Sequence, residues 1–388
     1  MKTVVFNTIH DVPKEQWNTL LIGNPCTLSH EFWEVLENSH LPNFRFRYVL
    51  FFDERSSGDS GGPIALACFY SVTTDIAIFA PAWLRGLLAR IRRFSPGFLK
   101  LRMLECGTPI TLNSPPFPIG PSVSARELIE ALDNLLQATG KAEGPGLIVI
   151  RDFEPDAQRL QAEFERLGYY WGDSLPNTYM DIEWSTPEGY LTSMKSYYRS
   201  KLLRHLRKSQ EQEIRYELRD NFHEMADSLF RQWTVVHNQA DELQREVLTP
   251  EFFREFSQRL GTRSKVLLFF RKDQLVGHAL LLLDGDLLRW LFFGRNEPVN
   301  DSLYIFVGHK VIETAIVLGA KRLELGLTTY SIKHDLGARS APIKMALRTV
   351  YRPANWLVGL IYPLVNKPPR VQNKNIFKKK PIAKASIA

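Results

Sequence analysis

The sequence predicts a mixed α/β (α+β) fold made of two units in tandem, each a mixed, mostly antiparallel sheet flanked by helices. Its 388 residues exceed the usual size of one domain. Segments with strand periodicity are interleaved with segments of helical periodicity. The order of helices, an antiparallel meander, a helix and a strand occurs twice. We therefore expect a first unit over residues 1–172, a second over 173–352, and a C-terminal segment over 353–388.

The first unit begins with a short apolar strand, followed by a helix that Ser29 caps. A further helix is indicated by leucine and isoleucine at three- and four-residue steps over 126–139. The predicted strands are 4–6, 46–52, 63–72, 99–104 and 146–150, and the predicted helices are 13–20, 29–37, 126–139 and 158–167.

The second unit repeats this plan after the aromatic stretch that ends at Gly172. A long helix is predicted over 187–208 because Ser185 and Thr186 can cap it and apolar residues follow at helical spacing. The other predicted helices are 222–238, 250–260 and 303–318, and the predicted strands are 178–182, 216–218, 264–271, 275–284, 287–293 and 322–325.

The net charge of +7 comes from the end of the sequence. Residues 366–388 contain seven lysines and arginines and no acid, so residues 1–365 are neutral overall. A basic fold that wraps nucleic acid is not indicated, and we expect no DNA partner.

The three cysteines, Cys26, Cys68 and Cys106, are far apart and lack CxxC spacing. This pattern is typical of a reducing compartment and predicts no zinc site or other metal site. The sequence has no signal peptide and no apolar run of about 18 residues, so we expect a cytoplasmic protein without a membrane span.

The C-terminal segment combines an apolar stretch over 356–365 with the basic residues that follow. The simpler interpretation is a terminal core segment followed by a disordered, solvated tail. The alternative is a segment that lies on an anionic membrane surface, so that residues 354–388 make a peripheral membrane contact.

A candidate site lies over residues 323–338, where a predicted strand ends at Gly326. Glu324, Tyr330 and Lys333 place an acid, a phenol and an amine within ten residues. These groups suit proton transfer or the binding of an anion. Their spacing alone is equally compatible with an ordinary strand exit and a solvated lysine.

The predicted helix 187–208 is the second candidate, because it carries a basic stripe without acids. A solvated helix face explains such a stripe. The alternative is a surface that binds the phosphates of a cofactor, a nucleotide or RNA. The candidate residues are Lys195, Arg199, Lys201 and Arg204.

The sequence contains no Walker loop, GxGxxG, HExxH or GxSxG motif. Its histidines do not cluster with carboxylates at metal-ligand spacing. His278, His309 and His334 are each more typical of core or surface residues than of ligands.

Three groups of residues resemble FemAB-like and related GNAT-superfamily N-acyltransferases. An extended segment precedes a basic helix with a Tyr-Arg-x-Lys-x-x-Arg pattern, and the closing stretch is similar to the Asp-Phe-Gly…Tyr-Lys…Gly pattern of that group. The opening also looks like that of predicted peptidoglycan-related N-acyltransferases. The residues are Leu175-Pro176-Asn177-Thr178-Tyr179-Met180-Asp181-Ile182, Tyr198-Arg199-Ser200-Lys201-Leu202-Leu203-Arg204, Glu324-Leu325-Gly326 with Tyr330, Lys333 and Gly337, and Trp17 with Cys26-Thr27-Leu28-Ser29-His30-Glu31-Phe32-Trp33.

The resemblance implies two tandem GNAT folds and the transfer of an acyl or aminoacyl group to an amine. Acyl-CoA is then a co-substrate, with no tightly bound cofactor. Glu324 or Tyr330 would move a proton, and Lys333 would stabilise the oxyanion or bind an acceptor carboxylate. The basic helix would hold donor phosphates. The chain departs from the pattern at Glu324, where relatives have Asp, and in the separation of Tyr330 from Lys333.

Three hypotheses therefore stand at the level of sequence. The first is a CoA-dependent N-acyltransferase that acts on a small-molecule or peptide amine. The second is an aminoacyl-tRNA-dependent transferase, which predicts a coiled-coil insertion or a broad basic surface. The third is a non-catalytic binding protein on a GNAT scaffold at a membrane surface.

Overall fold

The computed structural model describes residues 1–378 except 22, 24, 55–61, 76–85, 87–89, 96, 98–99, 111, 122, 145, 240–246, 298–301, 367 and 370. These residues form two seven-stranded sheets. No helix among them has the length and apolar character that a membrane crossing requires. The predicted mixed fold with two mostly antiparallel sheets is confirmed.

The first half of the chain supplies most of the first sheet. Its strands are β1 (Lys2–Phe6), β2 (Arg45–Phe52), β3 (Ala65–Asp75), β4 (Lys100–Cys106), β5 (Leu147–Phe153) and β6 (Tyr170–Asp173). Its helices are α1 (Lys14–Thr19), α2 (His30–Asn38), α3 (Ala125–Glu143) and α4 (Gln161–Arg166).

The second half forms the second sheet and the helices around it. Its strands are β7 (Asn177–Asp181), β8 (Ile214–Arg219), β9 (Ser264–Arg271), β10 (Gln274–Asp284), β11 (Leu287–Arg295), β12 (Arg322–Gly326), β13 (Arg339–Ala341) and β14 (Lys344–Thr349). Its helices are α5 (Pro187–Ser193), α6 (Ser196–Glu211), α7 (Ala226–Gln239), α8 (Pro250–Leu260), α9 (Leu303–Val317), α10 (Tyr330–Asp335) and α11 (Trp356–Val365).

The two sheets share one plan. The first has the order β1-β2-β3-β4-β5-β14-β6, and the second has the order β13-β7-β12-β11-β10-β9-β8. Each sheet contains a single parallel pair, β4 with β5 and β11 with β12, and a long helix connects the two strands of each pair. A parallel pair needs such a crossover, which explains why α3 and α9 follow β4 and β11.

Strand β14 departs from the predicted division of the chain at residues 172 and 352. It pairs with β5 and β6 and so completes the first sheet, although it comes from the end of the predicted second unit. The prediction that 173–352 forms a separate unit is therefore wrong for this strand.

A buried ion pair holds β14 in the first sheet. Arg348 lies in β14, and its Nη1 is 2.8 Å and 2.9 Å from the two carboxylate oxygens of Asp133 in α3. Both side chains are buried. If β14 paired with other strands, the buried Asp133 carboxylate would lose this partner.

The predicted helix 187–208 is also divided. It ends at Ser193 and begins again at Ser196, because Met194 and Lys195 have extended backbone angles. The backbone of this break is paired from outside, since the N–H of Lys195 donates to the carbonyl of Ile376 over 2.8 Å.

The segment over residues 371–378, which we call the strap, makes that contact. Ile376 is buried, and Phe377 packs against Trp184 and Tyr190. The expectation of a disordered tail over this segment is therefore wrong. Residues 379–388 lie outside the described part of the chain.

One hydrophobic cluster joins the two halves. It contains Trp17 and Trp33 from the first half together with Phe252 and Phe292 from the second. At its edge, Asn38 Nδ2 donates to Glu255 Oε2 over 3.0 Å. The junction between the two sheets is therefore a packed core, and it brings polar residues of both halves together.

Candidate functional site

Glu324 is the central residue of β12, and its side chain is buried. One carboxylate oxygen accepts a hydrogen bond of 2.7 Å from Asn177 Nδ2 and a longer one, 3.4 Å, from the backbone N–H of Asn113. The other oxygen is bound by Nη1 of Arg289. Since Asn113 comes from the first half of the chain, Glu324 is held in one orientation at the junction of the two halves.

Arg289, in β11, is the cation at the centre of this junction. Its Nε is 2.9 Å from Asp284 Oδ2, and its Nη1 donates to the carbonyl of Asn113 over 2.6 Å. Burial disfavours the charged guanidinium, but the charges of Glu324 and Asp284 outweigh burial and raise the pKa of Arg289. Arg289 therefore stays charged and neutralises two buried carboxylates.

A chain of hydrogen bonds extends from Glu324 to a second glutamate. The Tyr179 hydroxyl donates to Glu154 Oε1 over 2.6 Å, and Asn113 Nδ2 donates to the same oxygen over 2.7 Å. Asn177 Nδ2 donates to the Tyr179 oxygen over 2.9 Å as well as to Glu324. Glu154 is half-buried, so this chain leads from the buried acid towards the surface.

Asp152 adds a further carboxylate at the end of β5. Its backbone has a φ of 71°, a rare conformation for a residue other than glycine. Burial raises the pKa of Asp152 to about 6, although Arg151 Nε, 3.0 Å away, opposes the shift. The negative charges of Glu324 and Glu154 raise it further. The junction therefore has an excess of acidic groups.

The loop after β12 is strained. Gly326, Thr328 and Thr329 have φ values of 76°, 61° and 45°. Two adjacent β-branched residues at positive φ are outliers, and such strain persists only where the surroundings enforce it. Within the loop, the Tyr304 hydroxyl is 3.3 Å from Thr329 Oγ1.

Lys333, in α10, is buried beneath this loop. Its Nζ donates to the carbonyl of Leu327. Burial lowers the pKa of Lys333 to about 7, and the negative charge of Glu324 opposes that shift. The amine can therefore change its protonation state near neutral pH.

Tyr330 lies on the same short helix, but its hydroxyl is directed to the linker between the halves. It donates to the carbonyl of Pro176 over 2.9 Å. The structure thus brings Glu324 and Lys333 together, whereas this contact of Tyr330 attaches α10 to the linker.

The basic helix α6 meets the candidate site at Lys201. Its Nζ is 2.6 Å from Asp335 Oδ2 in α10, and Lys374 of the strap binds the other oxygen of Asp335. Burial raises the pKa of Asp335, but the two lysines outweigh burial and lower it. Lys201 therefore has an acidic partner that the sequence pattern did not indicate.

Arg204 lies with Lys201 and Lys208 around His205. Burial, followed by these three positive charges, lowers the pKa of His205. His205 Nδ1 is 2.9 Å from Ser302 Oγ, directly before the first residue of α9. The cationic stripe of α6 thus lies beside the N-terminus of a long helix, where anions are favoured.

The other two predicted phosphate ligands are not part of this group. Lys195 Nζ donates to the carbonyl of Asn375 in the strap over 2.7 Å. Arg199 is half-buried and is not among the charges that act on His205.

The parallel strands β11 and β12 separate at the candidate site. They pair only from Leu287–Arg289 to Arg322–Glu324, whereas β11 continues to Arg295. On its other side, β12 pairs with β7 from Arg322 onwards, and the register becomes irregular between Glu324 and Gly326. The edge of β11 past this point is not paired with β12, and an extended ligand can use it.

Several residues of this site could not be identified from the sequence alone. Asn113 lies in a proline-rich loop, and Glu154, Tyr179 and Arg289 come from separate strands or strand ends. The only sequence signal was the motif that contains Asn177 and Tyr179. In the described ranges, no group of three or more His, Cys, Asp or Glu could hold a metal ion.

Comparison with known proteins agrees with this architecture. Residues 196–334 match the family model of the acetyltransferase (GNAT) domain. The crystal structure of FemX aligns with a TM-score of 0.55 at 11% identity, covering 93% of this chain and 100% of that one. A tandem GNAT protein from the clavulanic acid biosynthesis pathway aligns with a TM-score of 0.52 at 10% identity, covering 90% and 98%.

The chain is also similar to two proteins that carry the name of a synthetase or a synthase. The C-terminal domain of a putative lysylphosphatidylglycerol synthetase from Agrobacterium fabrum aligns with a TM-score of 0.51 at 9% identity, covering 89% of this chain and 95% of that one. The putative 8-amino-7-oxononanoate synthase 2 of Mycobacterium tuberculosis is 28% identical over 335 residues, which cover 84% of this chain but 42% of the relative. The chain thus spans less than half of that relative, whose name describes a longer protein.

The GNAT domain and the tandem GNAT fold confirm the resemblance drawn from the motifs. Residues 196–334 are therefore similar in sequence to the acetyltransferase (GNAT) domain, and the fold of the described chain is similar to that of FemX and of a tandem GNAT protein.

Proposed function

We propose that this acyltransferase moves an acyl group from acyl-CoA to an amine acceptor at the junction of its two halves. The observation that carries the proposal is the separation of β11 and β12 directly beyond Glu324, with the buried Lys333 beside the opening. A donor bound in this opening has its reactive carbonyl near the amine of Lys333, whose pKa of about 7 suits proton transfer at neutral pH.

The donor binds along the free edge of β11 in this proposal. The amide groups of an extended pantetheine chain can pair with the backbone there, as an added strand does. Its phosphates then lie near Arg204 and Lys208, beside the start of α9. The structure of the tandem GNAT protein from the clavulanic acid biosynthesis pathway is specified as one without AcCoA, and this mention of AcCoA supports the choice of donor.

The acceptor approaches from the acidic side of the junction. Its ammonium group is attracted by Glu154, whose Oε1 is held by Tyr179 and Asn113. With Asp152 and Glu324, the carboxylates outnumber the nearby guanidinium groups of Arg151 and Arg289. A cationic amine is therefore preferred to an anionic acceptor.

The chemistry requires one proton acceptor and no covalent enzyme intermediate. Neutral Lys333 takes a proton from the acceptor ammonium, and the free amine attacks the thioester carbonyl. The new C–N bond forms and the C–S bond breaks. The thiolate leaves with the proton that Lys333 returns, and the attacking nitrogen releases its surplus proton to water as the neutral amide forms. Glu324 is bound by Arg289 and Asn177, so it positions Lys333 rather than acting as the base. Tyr330 remains a candidate site residue because its hydroxyl donates to the carbonyl of Pro176 in the linker.

The test is a thermal-shift titration with CoA and acetyl-CoA, combined with mass spectrometry of a panel of primary amines. A ligand that binds only the folded state at 100 times its Kd stabilises it by about 2.7 kcal/mol. Arg204→Glu should remove the shift, whereas Arg231→Glu, on the exposed face of α7, should keep it. Absence of a shift at millimolar CoA would refute the CoA proposal.

Two other measurements test the other two hypotheses. Product formed only with aminoacyl-tRNA would favour the second hypothesis, in which aminoacyl-tRNA is the donor. Full cellular function after replacement of Glu324, Tyr330 and Lys333 by Ala would favour a non-catalytic scaffold. No contact described above favours either over acyl-CoA.

A further inference from the structure

Helix α11 packs on the first sheet with one face only. Val358 is buried, and Gly359 lies against the Tyr170 ring, where an added Cβ would be 3.4 Å from Cδ2. Tyr362 donates from its hydroxyl to the carbonyl of Asp173 over 2.5 Å. These residues recur at the spacing of one helical face, so the helix is fixed in orientation on the protein.

The opposite face is apolar and exposed. Trp356, Leu360 and Leu364 follow one another at four-residue steps and are 67%, 56% and 68% exposed, and Ile361 is 48% exposed. A contiguous group of large, exposed apolar side chains indicates a surface that binds a protein, a membrane or a ligand. We call these four residues the apolar patch.

Positive charge follows the patch directly in the sequence. Residues 366–388 contain seven lysines and arginines and no acid. Lys374 is already paired with Asp335, and Lys378 donates to the carbonyl of Thr192. The remaining basic residues, Lys367, Arg370, Lys379, Lys380 and Lys384, lie outside the described part of the chain.

We propose that the apolar patch and the basic residues after it dock the protein on an anionic lipid bilayer. A helix with an apolar face enters the headgroup region, and neighbouring lysines and arginines add attraction to anionic lipids. The charge pattern selects this occupant, because a second copy of the chain would bring the same excess of positive charge to the contact.

Docking would bring the transfer site to the membrane surface. Tyr362 of α11 binds the carbonyl of Asp173, and three residues further along the linker the carbonyl of Pro176 accepts from Tyr330. An extended chain spans about 10 Å over three residues, so the docked helix and the catalytic helix α10 are attached to the same short segment. This inference does not rest on acyl-CoA as the donor.

Co-sedimentation with vesicles tests the proposal on the full chain. We expect binding to vesicles of phosphatidylcholine with 30% phosphatidylglycerol, weaker binding in 0.5 M NaCl, and little binding to phosphatidylcholine alone. The double variant Leu360→Ser/Leu364→Ser should weaken binding at least ~10-fold, because two apolar side chains no longer enter the bilayer. Lys379→Gln/Lys380→Gln/Lys384→Gln should weaken it by a similar factor.

The control is Val317→Ser, which changes an apolar side chain that is 75% exposed at the end of α9. It should bind vesicles like the wild type. Equal binding to neutral and anionic vesicles, or no binding at all, would overturn the proposal. Light scattering provides the other decisive result, since a dimer that dissociates in the Leu360→Ser/Leu364→Ser variant would show that a second copy covers the patch. Thermal unfolding verifies that each variant is folded.

Discussion

At the scale of single residues, Lys333 links stability to pH in the direction opposite to that of a lysine whose pKa an ion pair raises. Its pKa is about 7 in the folded protein and 10.5 in an unfolded chain. Above pH 10.5 both states are neutral, and no penalty arises. As pH falls to 7, the unfolded chain binds a proton that the folded state does not, so unfolding becomes easier by up to about 1.4 kcal/mol per pH unit.

Lys333→Met should therefore remove this dependence. The methionine side chain fills similar space without a charge, so the variant should gain stability over the wild type as pH is lowered from 10 to 7. Chemical denaturation at several pH values measures the difference. A constant difference across this range would contradict the lowered pKa.

The same variant reports on catalysis. Wild-type acyl transfer should rise with pH through about 7, where Lys333 becomes neutral, and Lys333→Met should lose roughly 10²–10⁴-fold in kcat together with that rise. A pH profile of kcat for both proteins is the measurement. An unchanged profile in the variant would assign the proton transfer to another group.

Glu324 allows a stability prediction with a matched control. Glu324→Gln leaves Arg289 buried with one carboxylate fewer, which should cost about 3–5 kcal/mol. Asp286→Asn breaks the exposed pair with Lys321 and should cost less than ~1 kcal/mol. Urea denaturation of the two variants measures both values, and similar losses would mean that the junction is not a buried ionic network.

At the scale of elements, the contact between the strap and α10 depends on Gly337. The residue has a φ of 106°, and a Cβ there would lie 2.4 Å from Phe377 Cζ. The sequence indicates the turn, because Gly337 ends the closing motif. The strap itself was not predictable, since Phe377 is in a basic segment without helical or strand periodicity.

Gly337→Ala should therefore displace the strap and lower the melting temperature markedly. The matched control is Gly319→Ala. Gly319 also has a positive φ, 70°, but a Cβ added there would have no atom of the described residues within 4 Å. Backbone strain alone costs about 1–2 kcal/mol, so the control should lose only that amount. Differential scanning calorimetry compares them, and equal losses would argue against the contact with Phe377.

The break in the helix shows why local patterns fail at Met194 and Lys195. Neither residue is a helix breaker, and the apolar spacing continues across them. The break is stabilised by backbone hydrogen bonds to Ile376 and Lys378, which lie far away in sequence. Local propensity was therefore overridden by a tertiary contact.

At the scale of the whole molecule, the repeated plan was predictable because each half contains its own meander and crossover helix. The position of β14 was not, since the short strand Lys344–Thr349 follows β13 directly and carries no signal that assigns it to either sheet. Glu324 and Lys333 were predicted together because they are close in sequence. Asn113 and Glu154 were missed because the junction gathers them from the other half.

A fragment of residues 1–172 should fail to fold as a stable domain. It lacks β14, so β5 and β6 lose the strand that lies between them, and Asp133 loses Arg348. Amide proton dispersion in NMR spectra of the fragment and of the full chain is the comparison. A well-dispersed fragment spectrum would show that the first half is independent.

The place of β14 also affects how the protein reaches its native state during synthesis. Ala346 pairs with Ile150, so the first sheet cannot close until almost the whole described chain has left the ribosome. Until then β5 presents an open edge of the kind that pairs with other chains. Contacts between distant residues slow folding and prolong exposure of such edges. We therefore expect a slow final phase of refolding, and greater dependence on chaperones than two independent domains of this size would have.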